Sequence, residues 1–161
     1  MNIGCIVRLE RDPDIEKEMK NLAGLGLHSC QVVSWDRKFF NTEKNAKRVK
    51  DAAESLGIKI TAFWCGWEGP AFWNFTEGPI TLGLVPEAYR MERLQTLKEG
   101  SYFAKDLGVS DLITHVGFLP ENRHDPLYAG TLAALKDLMK VCEANRQYFL
   151  FETGQETPIT L

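Results

Sequence analysis

The sequence is poor in features that would settle a function at once: no Cys-x-x-Cys pair, no long apolar run and no surplus of either charge. Its four cysteines, Cys5, Cys30, Cys65 and Cys142, lie far apart, which excludes a zinc ribbon or a dense disulfide framework. Cys5 and Cys30 fall inside apolar runs and read as buried thiols, behaving as small hydrophobes. The N-terminal MNIGCIVRLERD lacks a basic start followed by an apolar core, and no run reaches the roughly 20 residues that spanning a bilayer requires. A reducing cytoplasm is the expected location, with no membrane partner. The net charge is only -3 and the lysines and arginines are scattered, so no basic face for nucleic acid is expected. Glycine is also missing where a dinucleotide-binding turn would need it. Arg8-Leu9-Glu10-Arg11-Asp12 follows the first apolar run with no Gly-x-Gly-x-x-Gly.

What is present is a chain of 161 residues, 44% apolar and 25% charged, sufficient for a single domain over 1–161 with its own core. Short apolar runs alternate with longer amphipathic ones, and the period switches from strand-like to helix-like each time. Strands are expected at Ile3 to Arg8, Ser29 to Ser34, Ile58 to Trp64, Asp111 to Val116 and Gln147 to Phe151. Between them, helices open at Asp12-Pro13-Asp14, at Thr42, at Pro86 and near Leu127, and stop at Gly24 and Gly26, Gly57, Gly108 and Asn145. The stretch Cys65 to Val85 has no clear period; at that length it is expected to be functional, with its aromatics packing rather than lining a ligand. Five apolar strands with four helices between them predict an α/β fold with a parallel sheet buried on both faces. An open doubly wound sheet and the wall of a (β/α)8 TIM barrel both satisfy that pattern.

In either case reactive groups gather at the carboxyl ends of the strands: Arg8, Ser34 to Asp36, Trp64 to Trp67, His115 and Glu152. Glu152 follows the run Tyr148-Phe149-Leu150-Phe151, and a carboxylate at strand depth is costly unless a divalent metal or a basic group pairs with it. His115 ends the strand in LITHVGFLP, where either a backbone carbonyl or a ligand would satisfy it. His28 and His124 read as surface residues. Trp64, ending a strand, is placed to face a substrate.

The series of βα units, with ITHVG ending the fourth strand and FETGQETP ending the fifth, resembles the sugar phosphate isomerase/epimerase family, the xylose isomerase-like TIM barrels. The resemblance runs over essentially the whole chain in element order. It implies a (β/α)8 barrel of which about five strands and four helices lie in these residues. The chain stops as a helix opens at Pro158, and the resemblance implies that strands six to eight and their metal ligands lie outside it. It implies a small-molecule sugar substrate and a divalent metal ion (Mn, Mg, Co or Zn), with Glu152 as both metal ligand and acid-base residue. It further implies substrate contacts from His115, Trp64, Gln155 and Glu156. The chemistry would be removal of a proton next to a carbonyl, which needs a carboxylate base and an electrophile to hold the enediolate. The related AP endonucleases carry a ligand histidine near the position of Trp64-Cys65-Gly66, and none stands there. Two alternatives remain at this stage: a non-catalytic binding or assembly module, and an AP endonuclease-like phosphodiesterase. An open five-stranded sheet would expose an apolar inner face and a strand edge, which leaves a homo-oligomer open.

Overall fold

The computed structural model describes residues 3–154 and 156. Its strands are β1 (Cys5–Arg8), β2 (Ser29–Ser34), β3 (Lys59–Cys65), β4 (Asp111–His115) and β5 (Tyr148–Glu152). Its helices are α1 (Ile15–Gly24), α2 (Arg37–Phe40), α3 (Glu43–Ser55), α4 (Gly78–Thr81), α5 (Glu87–Leu107) and α6 (Pro126–Ala144). The four long helices are those expected from the sequence. Asp14 caps α1 by accepting from the Lys17 N–H at 3.0 Å, and Thr42 caps α3 by accepting from the Asn45 N–H at 3.3 Å. Two single-turn helices, α2 and α4, are additional, because one turn is too short to show a hydrophobic period. Pro86 stands at the N-cap of α5 rather than inside its first turn.

All five strands are parallel, and their order in the sheet is β1-β2-β3-β4-β5. A doubly wound sheet reverses its strand order at a switch point, whereas a barrel adds each new strand beside the last. The monotonic order is therefore that of a (β/α) barrel wall. The long helices pack in sequence, α1 on α3, α3 on α5 and α5 on α6, and each of them also meets a strand. The core lies between helices and sheet, around Val32, Phe63, Leu97, Phe103, Leu112 and Leu138.

Burial on both sheet faces, expected from the apolar strands, holds for β2 but not for the outer strands β1 and β5. Ile6 is 56% exposed and Leu150 40%, because five strands form a wall whose inner side faces an open groove. Between β2 and β3 the register shifts at Cys30 and Gln31 of β2, which pair with Ile60 and Ala62 and leave Thr61 of β3 as the extra residue. Such a bulge changes which side chains share a face across the pair. Here it aligns Arg8, Val33, Trp64, Ile113 and Leu150 as one row across all five strands.

Outside the sheet, Arg37 of α2 forks onto Glu99 of α5 with both hydrogen bonds at 2.6 Å. The Arg37 hydrogen bonds hold the Glu99 carboxyl below its ordinary value of 4.5. A carboxyl depressed in the folded state contributes stability that is complete above the ordinary value and lost as pH falls through the folded-state value. Glu99→Gln is thus expected to cost about 1–2 kcal/mol at pH 7. Urea unfolding at a series of pH values should show that difference shrinking below 4.5, and a constant difference would refute the assignment.

Candidate active site

The inner side of the sheet opens at the carboxyl ends of its strands onto a groove of about 830 Å3, whose lining includes Arg8, Trp35, Trp64, Trp73, Ile113 and Glu152. The register pairs His115 with Glu152, two residues beyond the inner-facing pair Ile113 and Leu150. Side chains alternate along a strand, so both stand on the groove side at its mouth.

His115 is 2% exposed. Its Nδ1 accepts the Gly117 N–H at 3.1 Å, so that nitrogen carries no proton and Nε2 is the protonated one. The Nε2–H is buried and has no partner among the described residues. Gly154 leaves it uncovered: a Cβ there would lie 3.4 Å from Nε2. Trp73 meets the imidazole edge-on, at 5.1 Å between centroids and 88° between planes. A buried donor without a partner costs roughly 1–3 kcal/mol, which an acceptor on a bound molecule would recover.

Glu152 differs from the expectation of a carboxylate at buried depth: it is exposed, because β5 has a neighbouring strand on one side only. Its Oε2 accepts a hydrogen bond from the Trp64 indole Nε1–H. Oε1 has no partner among the described residues, so one oxygen is oriented and the other remains available.

All four tryptophans of the chain gather here. Trp35 meets Trp64 at 4.9 Å with the rings tilted by 40°, and meets Trp67 edge-on at 5.0 Å and Trp73 edge-on at 6.3 Å. Gly66 permits this, since a Cβ there would lie 2.6 Å from the Trp35 ring. Trp64, the next-to-last residue of β3, lines the groove. Trp73 was expected only to pack and instead lines the groove; an aperiodic segment has no face from which its direction could be read.

The remaining strand-end residues divide between architecture and site. Asp36 accepts backbone N–H groups from Arg11 at 3.1 Å, Lys38 at 3.0 Å and Phe39 at 3.3 Å, tying the loop after β1 to α2. Ser34 is fully buried and accepts from the Asp36 N–H at 3.2 Å. Cys65 is buried against Gly100, and burial pushes its thiol far above the ordinary value. Glu156 accepts from the Leu119 N–H at 3.3 Å and the Gly154 N–H at 3.1 Å, joining the loops that follow β4 and β5. Gln155 and Pro158 lie outside the described residues. Arg8 is exposed on the groove, and its side chain makes no hydrogen bond or ion pair among the described residues. No group of three His, Cys, Asp or Glu side chains able to hold a metal ion occurs among the described residues. Among the described residues that line the groove, Glu152 is the carboxylate that could offer oxygen to a hard cation, and such ions take about six oxygens. No helix among the described residues is long and apolar enough to cross a membrane.

No protein-family model and no curated protein matches the chain. Solved structures do. The xylose isomerase domain protein from Planctomyces limnophilus is 27% identical with a TM-score of 0.84, over 96% of this chain and 53% of that one. A D-psicose 3-epimerase crystallised in the presence of D-fructose aligns at 12% identity and a TM-score of 0.61, over 92% of this chain and 52% of that one. An L-ribulose 3-epimerase aligns at 17% identity and a TM-score of 0.62, over 94% of this chain and 49% of that one. The chain thus spans about half the length of the barrels it matches.

Proposed function

We propose, for a chain that belongs by its structure with the xylose isomerase-like TIM barrels, that it forms the substrate groove and one acid-base group of a sugar isomerase or epimerase. The observation that supports this best is the register pairing of Glu152 with His115 across β4 and β5, which brings to one strand-end position a carboxylate and a buried N–H donor that has no partner among the described residues. In this reading the available Oε1 of Glu152 takes the proton from the carbon next to the sugar carbonyl. The C–H bond breaks, its electron pair becomes the enediolate, and the proton later returns to carbon from the same carboxyl or from another acid. The His115 Nε2–H donates to the oxygen on which charge develops, a role for which a preorganised buried donor is suited. The indole of Trp64 holds Oε2 and so orients the base. Trp35, Trp64 and Trp73 present ring surface to the apolar C–H face of a sugar and keep water from the enediolate.

The residues described here do not by themselves make a metal centre, and none of these steps is routed through one. If a divalent ion (Mn, Mg, Co or Zn) serves this enzyme, Glu152 would be one ligand and the ion would supply further stabilisation of the enediolate oxygens.

The test is incubation of the full-length protein with a ketose in D2O, with each of these ions in turn, followed by NMR of the recovered sugar. Deuterium at the carbon next to the carbonyl is expected. Its absence with every ion and every ketohexose and ketopentose offered would overturn the reading.

A further inference from the structure

We propose that Arg93 is a positioning residue, which clamps both ends of the 66–85 segment so that Trp67 backs the tryptophan wall of the groove and Trp73 lines it. Arg93 lies on α5 and is fully buried. At the start of the segment it donates to the carbonyls of Glu68 at 3.2 Å and Pro70 at 2.9 Å. At its end it donates to Thr81 at 2.7 Å and Gly83 at 2.8 Å. One planar guanidinium therefore closes a loop whose intervening residues include Trp73. The guanidinium also lies 3.9 Å from the centre of the Trp67 ring and 4.6 Å from that of Tyr89. No ion pair to it occurs among the described residues, so carbonyl dipoles and ring faces compensate most of the buried charge, with Glu92 acting on it from a distance.

Its neighbour Arg90 does a narrower task. It donates to Leu84 at 2.8 Å and Val85 at 2.5 Å, at one end of the segment only. Lysine could not replace Arg93, since a point charge with three donors cannot reproduce a planar fork spread over four carbonyls. From Arg93 the contacts lead outward: Trp67 against Trp35, Trp35 against Trp64, and Trp64 onto the Glu152 carboxylate. Trp73, on the clamped segment, stands over His115. The consequence for catalysis rests on the function proposed above, whereas the clamp itself does not.

The experiment compares wild type, Arg93→Met and Arg93→Lys at a temperature where far-UV circular dichroism shows the helices intact. In Arg93→Met the near-UV tryptophan band should fall to about half or less, as the ring contacts are lost. Amide exchange in residues 66–85 should accelerate about tenfold or more, with α1 and α3 unchanged. Arg93→Lys should fall between the two. Ser101→Ala, on the same helix as Arg93, is the control: it loses the hydrogen bonds that join Ser101 to Gln147 and Asn145 and should lower stability without changing the band. An unchanged band and unchanged exchange at 66–85, whatever the loss of stability, would overturn the proposal. If Arg93→Met does not fold, Arg93→Lys decides alone, by the same two readings. Tryptophan fluorescence titrated with D-fructose is read separately. A silent wild type beside a lost band in Arg93→Met would count against the sugar reading and leave the clamp standing.

Discussion

Glu152→Gln is expected to remove solvent-deuterium incorporation into the sugar, by a factor on the order of 10²–10⁴, while leaving the fold unchanged. The amide cannot take a proton from carbon. Its oxygen can still accept the Trp64 Nε1–H that Glu152 Oε2 accepts now, so the orientation of the side chain should survive. Glu152 is exposed at the open edge of the sheet, and substitutions at such positions shift stability by about 0.5 kcal/mol or less. Thermal unfolding and the near-UV tryptophan band should therefore match wild type. Retention of more than about a tenth of the exchange rate would remove Glu152 from the base role, since positioned general bases contribute at least about a hundredfold.

The second large effect is expected at Gly117→Ala, in stability and in the site together. Gly117 has φ +97°, and a Cβ there would lie 2.3 Å from the Leu82 carbonyl oxygen. Its N–H is also the donor that holds His115 Nδ1. The left-handed backbone and the overlap together should cost about 3 kcal/mol or more. Gly26→Ala separates the two contributions, because Gly26 has φ +72° with nothing within 4 Å of its Cβ position. It should cost only about 1–2 kcal/mol, the backbone strain alone. In whatever fraction of Gly117→Ala folds, NMR of the imidazole nitrogens should show that His115 no longer keeps its proton on Nε2 alone. A variant as stable as Gly26→Ala, with the wild-type tautomer, would contradict this account of the loop.

Legibility of the site from sequence followed the range of the interactions involved. Glu152, His115 and Trp64 could be named because each ends an apolar run, and strand ends are where such folds collect reactive groups. The carboxylate of Asp36, also at a strand end, proved to be spent on three backbone N–H groups. Nothing in its neighbours distinguishes that use from a ligand's. Trp73 could not be aimed at the groove because the stretch around it has no period. Arg93 looked like one more charged residue on a helix; its four carbonyl partners lie 10 to 25 residues away, in a segment without a hydrophobic period.

The sequence by itself determined the order of strands and long helices, the caps at Asp14 and Thr42, and the likeness to sugar isomerase barrels. Periodicity and capping act within a few residues, so the chain records them locally. Only the tertiary structure decided that the strands add in order into a barrel wall, and that a bulge at Thr61 sets Trp64 in the inner row. It alone placed the His115 proton, through the turn at Gly117, and brought Trp64 onto Glu152, 88 residues away. Those outcomes depend on pairing register and on packing between distant segments, and neither is written in the neighbourhood of the residues they govern.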